Sequence, residues 1–185
     1  MKTFRILAIA LPLAVSALLV SPAIAQKLPA TVVAIVDNAR VQREATAWES
    51  ARQQVQQISQ GYQQEFQREE DRLRTEEQEL ARQRTILAPD AFEGRRRDWE
   101  RRAADFQQRI NERRRGLEQS MNNVRTEIFK RQQEVINDIA RDRAFNLVLD
   151  KSVVGFSADA LDITTDVVKR LNQKMPSVKV PPPAR

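Results

Sequence analysis

Arginine and the carboxylates are the side chains through which this chain could do chemistry. Its 185 residues hold 31 Lys and Arg against 25 Asp and Glu, with no Cys and no His. Disulfides, thiolate nucleophiles, Cys/His zinc sites and every His-based acid–base relay are therefore excluded. Paired carboxylates such as Glu69-Glu70 and Glu76-Glu77 lie in a uniformly charged stretch rather than in a cleft. No Gly-rich phosphate loop is present, so ATP-driven chemistry is not expected. The chain reads as a non-enzyme without metal or cofactor. What remains is charge: residues 92–115 hold nine Arg against five acids, and residues 63–87 hold seven acids against five Arg. Part of this surplus must neutralise the facing segment. The rest makes Arg95, Arg96, Arg97, Arg101, Arg102 and Arg109 candidate contacts for an anionic partner, acting over a Debye length of ~8 Å.

The elements that position these charges are legible. Lys2 and Arg5, the apolar run Ile6 to Val20 and the small residues of Ala23-Ile24-Ala25 have the layout of a secretory signal peptide over residues 1–25, with cleavage before Gln26. Thr31 to Asp37 reads as a buried strand. From residue 38 to 143 the chain is almost entirely Gln, Glu, Arg, Ala and Leu, all strong helix formers. Pro89 interrupts this zone, and Asp90 is a good cap for a new helix. Apolar residues mirror each other about that point: Leu87 with Phe92, Leu80 with Trp99, Leu73 with Phe106, Tyr62 with Leu117, Ile58 with Met121, Val55 with Val124, Ala51 with Ile128. Each pair of numbers sums to 179, as an antiparallel coiled-coil hairpin requires. Two helices of ~50 residues make an arm of ~75 Å with its tip near 89–90.

The seam is dense near the base and thins toward the tip, where Arg113 falls opposite Phe66 and breaks the pattern. A firm base and a more mobile outer half are expected. Gly61 and Gly116 sit inside the helices at nearly one height, and each costs ~1 kcal/mol relative to Ala. They are either flex points or, for Gly116, a space for Tyr62.

Residues 26–37 and 144–175 read as a β-rich body. Phe145 to Asp150 and Val153 to Ser157 are expected to pair as a hairpin through Lys151-Ser152, followed by a short helix that Thr164-Thr165 caps and Pro176 stops. Val33, Ile35, Leu147, Leu149, Val154 and Phe156 want burial, yet so few strands supply little core and leave open edges. The expected solution is a homo-oligomer whose subunits share one body. Residues 176–185, with Pro181-Pro182-Pro183, read as an extended and flexible tail.

A signal peptide, VVAIVDNARV, a long Gln/Glu/Arg helical hairpin and FNLVLDKSVVGFSADALDITTDVVKRLN occur in this order. Over residues 31–174 the pattern resembles the Skp/OmpH-like periplasmic chaperones. LVLDKS at 147–152, DIT at 162–164 and the V-x-K-x-L-N helix are its specific part. The resemblance implies a mainly α fold with a small β part: a trimer holding three helical arms around a cavity in the periplasm. It further implies binding of unfolded outer-membrane proteins without ATP, keeping them soluble for the outer membrane. The chain departs from the family in an outer arm rich in Arg rather than Lys, and in Trp99. Anionic lipid or lipopolysaccharide head groups would suit the same Arg surface, and guanidinium groups stack on the aromatic girdles of such clients. Nucleic acid is disfavoured as a partner: the charge alternates and no groove-reading or stacking motif is present. A structural coiled-coil spacer of the envelope is the alternative, and it would want a continuous seam.

Overall fold

The computed structural model describes residues 30–183. The signal-peptide reading of residues 1–25 lies outside the described residues. The elements run β1 (Val33–Val36), α1 (Asn38–Glu44), α2 (Thr46–Gln83), α3 (Pro89–Asp142), β2 (Leu147–Asp150) and α4 (Thr164–Lys174). Single 3-10 turns occupy Lys151–Val153 and Asp159–Leu161.

Helices α2 and α3 lie side by side in opposite directions. Polar contacts join Glu76 to Arg102, Glu69 to Arg109 and Gln83 to Arg95, and each pair of numbers sums to 178, one less than the apolar pattern gives. The two helices are unequal, with 38 residues in α2 and 54 in α3. At 1.5 Å per residue they extend ~57 and ~81 Å.

The first helix is shorter than expected because the helical zone breaks a second time. Ala45 is extended, with φ −74° and ψ 132°, and separates α1 from α2. Its buried methyl leaves it unable to cap anything, and Asn172 of α4 supplies the missing acceptor: the Thr46 N–H donates to Asn172 Oδ1 at 2.9 Å. A side chain 126 residues away thus does the work of a local N-cap. At the tip, α3 starts on Pro89 itself, preceded by Ala88. Asp90 is therefore a first-turn acid that complements the helix dipole rather than a cap.

The far end of α3 closes in a Schellman motif. The Phe145 N–H donates to the Ala140 carbonyl at 2.9 Å while Ala144 takes φ 56° in the left-handed region. This turn feeds β2, which pairs in parallel with β1 in the register Val33↔Leu147 to Val36↔Asp150. A parallel pair needs a long crossover, and the two arm helices provide it.

The expected hairpin of Val153 to Ser157 against β2 is not formed. Asp150 accepts from the Ser152 N–H, winding Lys151-Ser152-Val153 into a 3-10 turn that leads the chain away. Phe156 is 91% exposed and Val153 76%. The body is correspondingly not β-rich: two four-residue strands lie beside α1, α4 and the inner ends of α2 and α3.

The core sits there, built from Ala34, Val36, Val41, Trp48, Val124, Ile128, Val135, Ile139, Ile163, Val167 and Leu171. Helix α4 ends at Lys174 as expected, but its cap differs. Asp162 accepts from the Thr164 N–H at 2.9 Å, while the Thr164 hydroxyl accepts from the Asp37 N–H at 2.9 Å and so ties α4 to the start of α1. A part-buried polar chain also runs from the buried Gln132 through Asn38 to Asp150. The C-terminal segment forms no helix or strand through residue 183, and it is packed rather than free: Val178 and Val180 are buried in the base core.

Candidate functional site

Two surfaces could meet a partner, the outer arm and one face of the small sheet. On the sheet, Ala34, Val36 and Val148 pack into the helical core. Side chains alternate along a strand, so Val33, Ile35, Leu147 and Leu149 share the opposite face. None of these four side chains belongs to the helical core cluster. Leu147 is 42% exposed, while Val33, Leu149 and Val154 are half-buried. Only Ile35, bridged to Asp162, is fully buried there. With Val153 and Phe156 beside it in sequence, this is the main exposed apolar region at the body among the described residues.

Asp162 anchors this face. Burial alone would raise its carboxyl. Hydrogen bonds from Thr164 and from Lys151 Nζ at 2.9 Å outweigh that and hold it at about 2. Asp150 is held low by Ser152 and Asn38, and Asp138 by Lys174 and Arg141. These carboxylates stay ionised across the neutral range and act as fixed struts between α1, α3, β2 and α4.

On the arm, five of the six candidate arginines are already engaged. Arg95 donates to Gln83 at 2.6 Å, and Arg96 spans Glu93 and Glu100, both at 2.7 Å. Arg101 meets Asp98 at 2.8 Å, Arg102 reaches across to Glu76 at 2.7 Å, and Arg109 to Glu69 at 3.2 Å. Arg97 makes no hydrogen bond and acts on Glu93 through its charge alone. The hydrogen bond from Arg96 lowers the Glu93 carboxyl and raises the guanidinium in turn. Such exposed pairs exchange readily, since each is worth only ~0–1 kcal/mol in solvent. The geometry thus gives the arm a surface of paired, replaceable charges rather than a bare cationic rim.

Beneath the charges the outer arm is not empty where a break in the seam is expected. Phe66 stacks on Tyr62 at 6.0 Å and meets Phe106 edge-on at 5.9 Å. Arg113 lies 5.1 Å from the Tyr62 ring and Arg109 6.0 Å from Phe106. Arg113 therefore caps an aromatic cluster instead of interrupting the seam. The same-face spacings of Tyr62 with Phe66 and of Phe106 with Arg109 and Arg113 were the signal that pairing by equal sums passed over. Farther out, Trp99 donates its indole N–H to the Leu73 carbonyl at 3.0 Å.

Two shallow hollows follow. One of about 450 Å³ runs beside Gly61, Phe66, Glu69 and Arg109, and one of about 410 Å³ beside Leu80, Trp99 and Arg102. Both mix an apolar floor with charged walls. Neither holds converging groups that could catalyse a reaction. The two glycines part company: a Cβ at Gly61 would meet nothing within 4 Å, whereas one at Gly116 would strike Pro183. The space at Gly116 is for the C-terminal segment and not for Tyr62.

Among the described residues no helix is long and apolar enough to cross a membrane, and no acidic cluster is arranged to hold a metal. Comparison with known proteins adds a consistent reading. The crystal structure of a candidate outer membrane chaperone (OmpH-like) from Caulobacter crescentus superposes with a TM-score of 0.78. It is 19% identical and covers 85% of this chain and 94% of its own, so the likeness shows the fold. No curated protein matches this chain. The family described as outer membrane protein (OmpH-like) matches residues 32–171, three quarters of the sequence. The chain therefore belongs to the OmpH-like outer membrane protein family.

Proposed function

We propose that this protein is an ATP-independent holdase chaperone of the periplasm. It binds unfolded outer-membrane β-barrel proteins in a cavity between helical arms and keeps them soluble until they reach the outer membrane. The carrying observation is the pairing of a long two-helix arm, whose outer surface is replaceable ion pairs over shallow hollows, with a body that leaves one apolar sheet face partly exposed. Family membership supports a chaperone at that level.

The sheet face of Val33, Leu147 and Leu149, with Val154 and Phe156 nearby, is the surface for further copies of the chain. A homotrimer follows from the family resemblance. In that assembly the arms stand around one cavity as coiled-coil hairpins. Arg95, Arg96, Arg97, Arg101, Arg102 and Arg109 exchange partners between the arm's own carboxylates and those of a client or an anionic lipid head group. Many weak contacts give avidity through effective concentration while each remains easy to release. That suits a client that must be held unfolded and then surrendered.

An outer-membrane β-barrel protein unfolded in urea is diluted into buffer with or without residues 26–185, without nucleotide, and light scattering is followed. Suppression at about one oligomer per client is expected. Unchanged scattering in the presence of a folded oligomer would overturn the holdase and favour an envelope spacer.

A further inference from the structure

Past Met175 the chain does not leave the molecule but climbs the arm. Val178 and Val180 are buried, while Ser177 and Lys179 between and beside them face solvent, the alternation of a strand. A single side chain reads one edge of this backbone. Gln54 Nε2 donates to the Val178 carbonyl at 2.6 Å, and Gln54 Oε1 accepts from the Val180 N–H at 3.0 Å. The Ser50 hydroxyl adds a longer bond to the Val178 carbonyl at 3.4 Å. Two turns of α2 thus hold the segment as a neighbouring strand would.

Its end is gripped by the other helix. Arg113 donates to the Pro183 carbonyl at 3.3 Å, and the Pro183 ring lies over Gly116 so closely that a Cβ there would sit 2.6 Å from the proline Cβ. Glycine in a helix interior is unfavourable, and it is tolerated where another chain segment must approach the backbone. Gly116 meets that condition, and the approaching segment is the proline run. Gly61 lies at nearly the same height on α2 with open space about it. Above this level only Leu73 and Phe106 are buried among the described residues.

We propose that residues 176–183 are a strap that binds both arm helices to the body and sets the height at which the arm bends. Below the strap's end the arm moves with the body. The strap ends on Gly116, and the first level free to flex begins there, where Gly61 on α2 has open space about it. The strap's grip is on main chain and small apolar side chains, so it needs extended, proline-rich sequence rather than a helix. The inference does not rest on the holdase reading.

Because the chain has no Cys, two introduced thiols label cleanly. Lys169→Cys with Arg74→Cys reports arm against body, and Gln53→Cys with Lys179→Cys reports whether the strap is docked. Each pair is measured by pulsed EPR in the full mature chain, diluted into excess unlabelled protein. Docking predicts a narrow short distance for the second pair in the parent. Gln54→Ala combined with Gly116→Leu should abolish that distance and broaden the arm-to-body distribution about twofold, and a chain ending at Met175 should broaden it at least as much. If the truncated chain fails to fold, the double substitution alone decides. A broad strap distance in the parent, or an undocked strap with the arm distribution unchanged, would overturn the proposal.

Discussion

Near the body, Ala47, Trp48 and Ala51 of α2 face Val124, Ile128, Val135, Ile136 and Ile139 of α3, and all are buried. Between residues 62 and 117, across the whole outer arm, only Leu73 and Phe106 reach that state. The helix pair is continuous, but what holds it changes along its length. The inner part is a core in which each apolar side chain is enclosed by several elements. The outer part is two helices touching along one line, supplemented by rings, guanidinium groups and ion pairs. Burial makes the first part specific and stiff. The second keeps its helices through propensity and charge, which leaves its surface adaptable.

The largest expected effect is at the base. Ile128→Ala should cost about 3 kcal/mol, because the site is enclosed and cannot collapse. Leu73→Ala, in a site lined by two helices only, should shift the urea midpoint far less at equal protein concentration. Equal shifts would erase the distinction between the two regions.

Second, the Asp162 carboxyl is held at about 2 against an ordinary 3.8, so it binds protons less readily folded than unfolded. Its contribution, about 2 kcal/mol, is fully present above pH 4 and is lost as pH falls toward 2. Asp162→Asn should lower the melting temperature at pH 6 and flatten its acid limb between pH 4 and 2. An unchanged slope there would remove Asp162 as a strut.

Third, Trp99→Phe deletes the cross-helix bond to the Leu73 carbonyl at a cost of about 1 kcal/mol. Hydrogen exchange should quicken around residues 73 and 99 while amides near Ile128 and Ile139 stay protected. Fastest of all to disappear in the noise is Arg102→Ala. Losing the pair with Glu76 should change stability by well under ~1 kcal/mol and leave no dependence on salt at that site. A large loss would mean the outer arm is locked rather than adaptable.

Much of this arrangement was readable from residue types and spacing. The mirrored apolar positions about Pro89 anticipated two long helices running in opposite directions, because helix periodicity is a property of local sequence. The side-chain pairs differ in detail, with polar contacts summing to 178 and the Phe66–Phe106 and Leu73–Trp99 contacts to 172. The strand Val33–Val36, the end of α4 at Lys174 and the break at Pro89 followed from β-branching and proline. What was missed depended on partners distant in sequence. Ala45 gives no local sign of a helix break, since the acceptor that starts the next helix, for the Thr46 N–H, is on Asn172. Val153 to Ser157 has strand composition, yet the Asp150 side chain turns the chain before it can pair. The proline run had the composition of a free tail, and only Gln54 and Gly116 reveal what it docks on. For the candidate arginines, the individual partners were not legible: Arg96 and Arg101 pair within α3, whereas Arg95, Arg102 and Arg109 reach across to α2, which depends on the register between the helices.

The parallel pairing of β1 with β2 has a consequence for the order in which the chain assembles. Val33 and Leu147 stand 114 positions apart, and the cap on Thr46 comes from Asn172. A chain delivered from its N-terminus carries β1 unpaired until almost the last residues arrive. The two long helices, by contrast, can zip from the turn at Pro89 using neighbours close in sequence, and zipping brings the distant ends together with little further loop entropy to lose. Folding should therefore begin at the tip and finish at the body. The part of the molecule with the weakest packing is then the part that makes formation of the strongest possible.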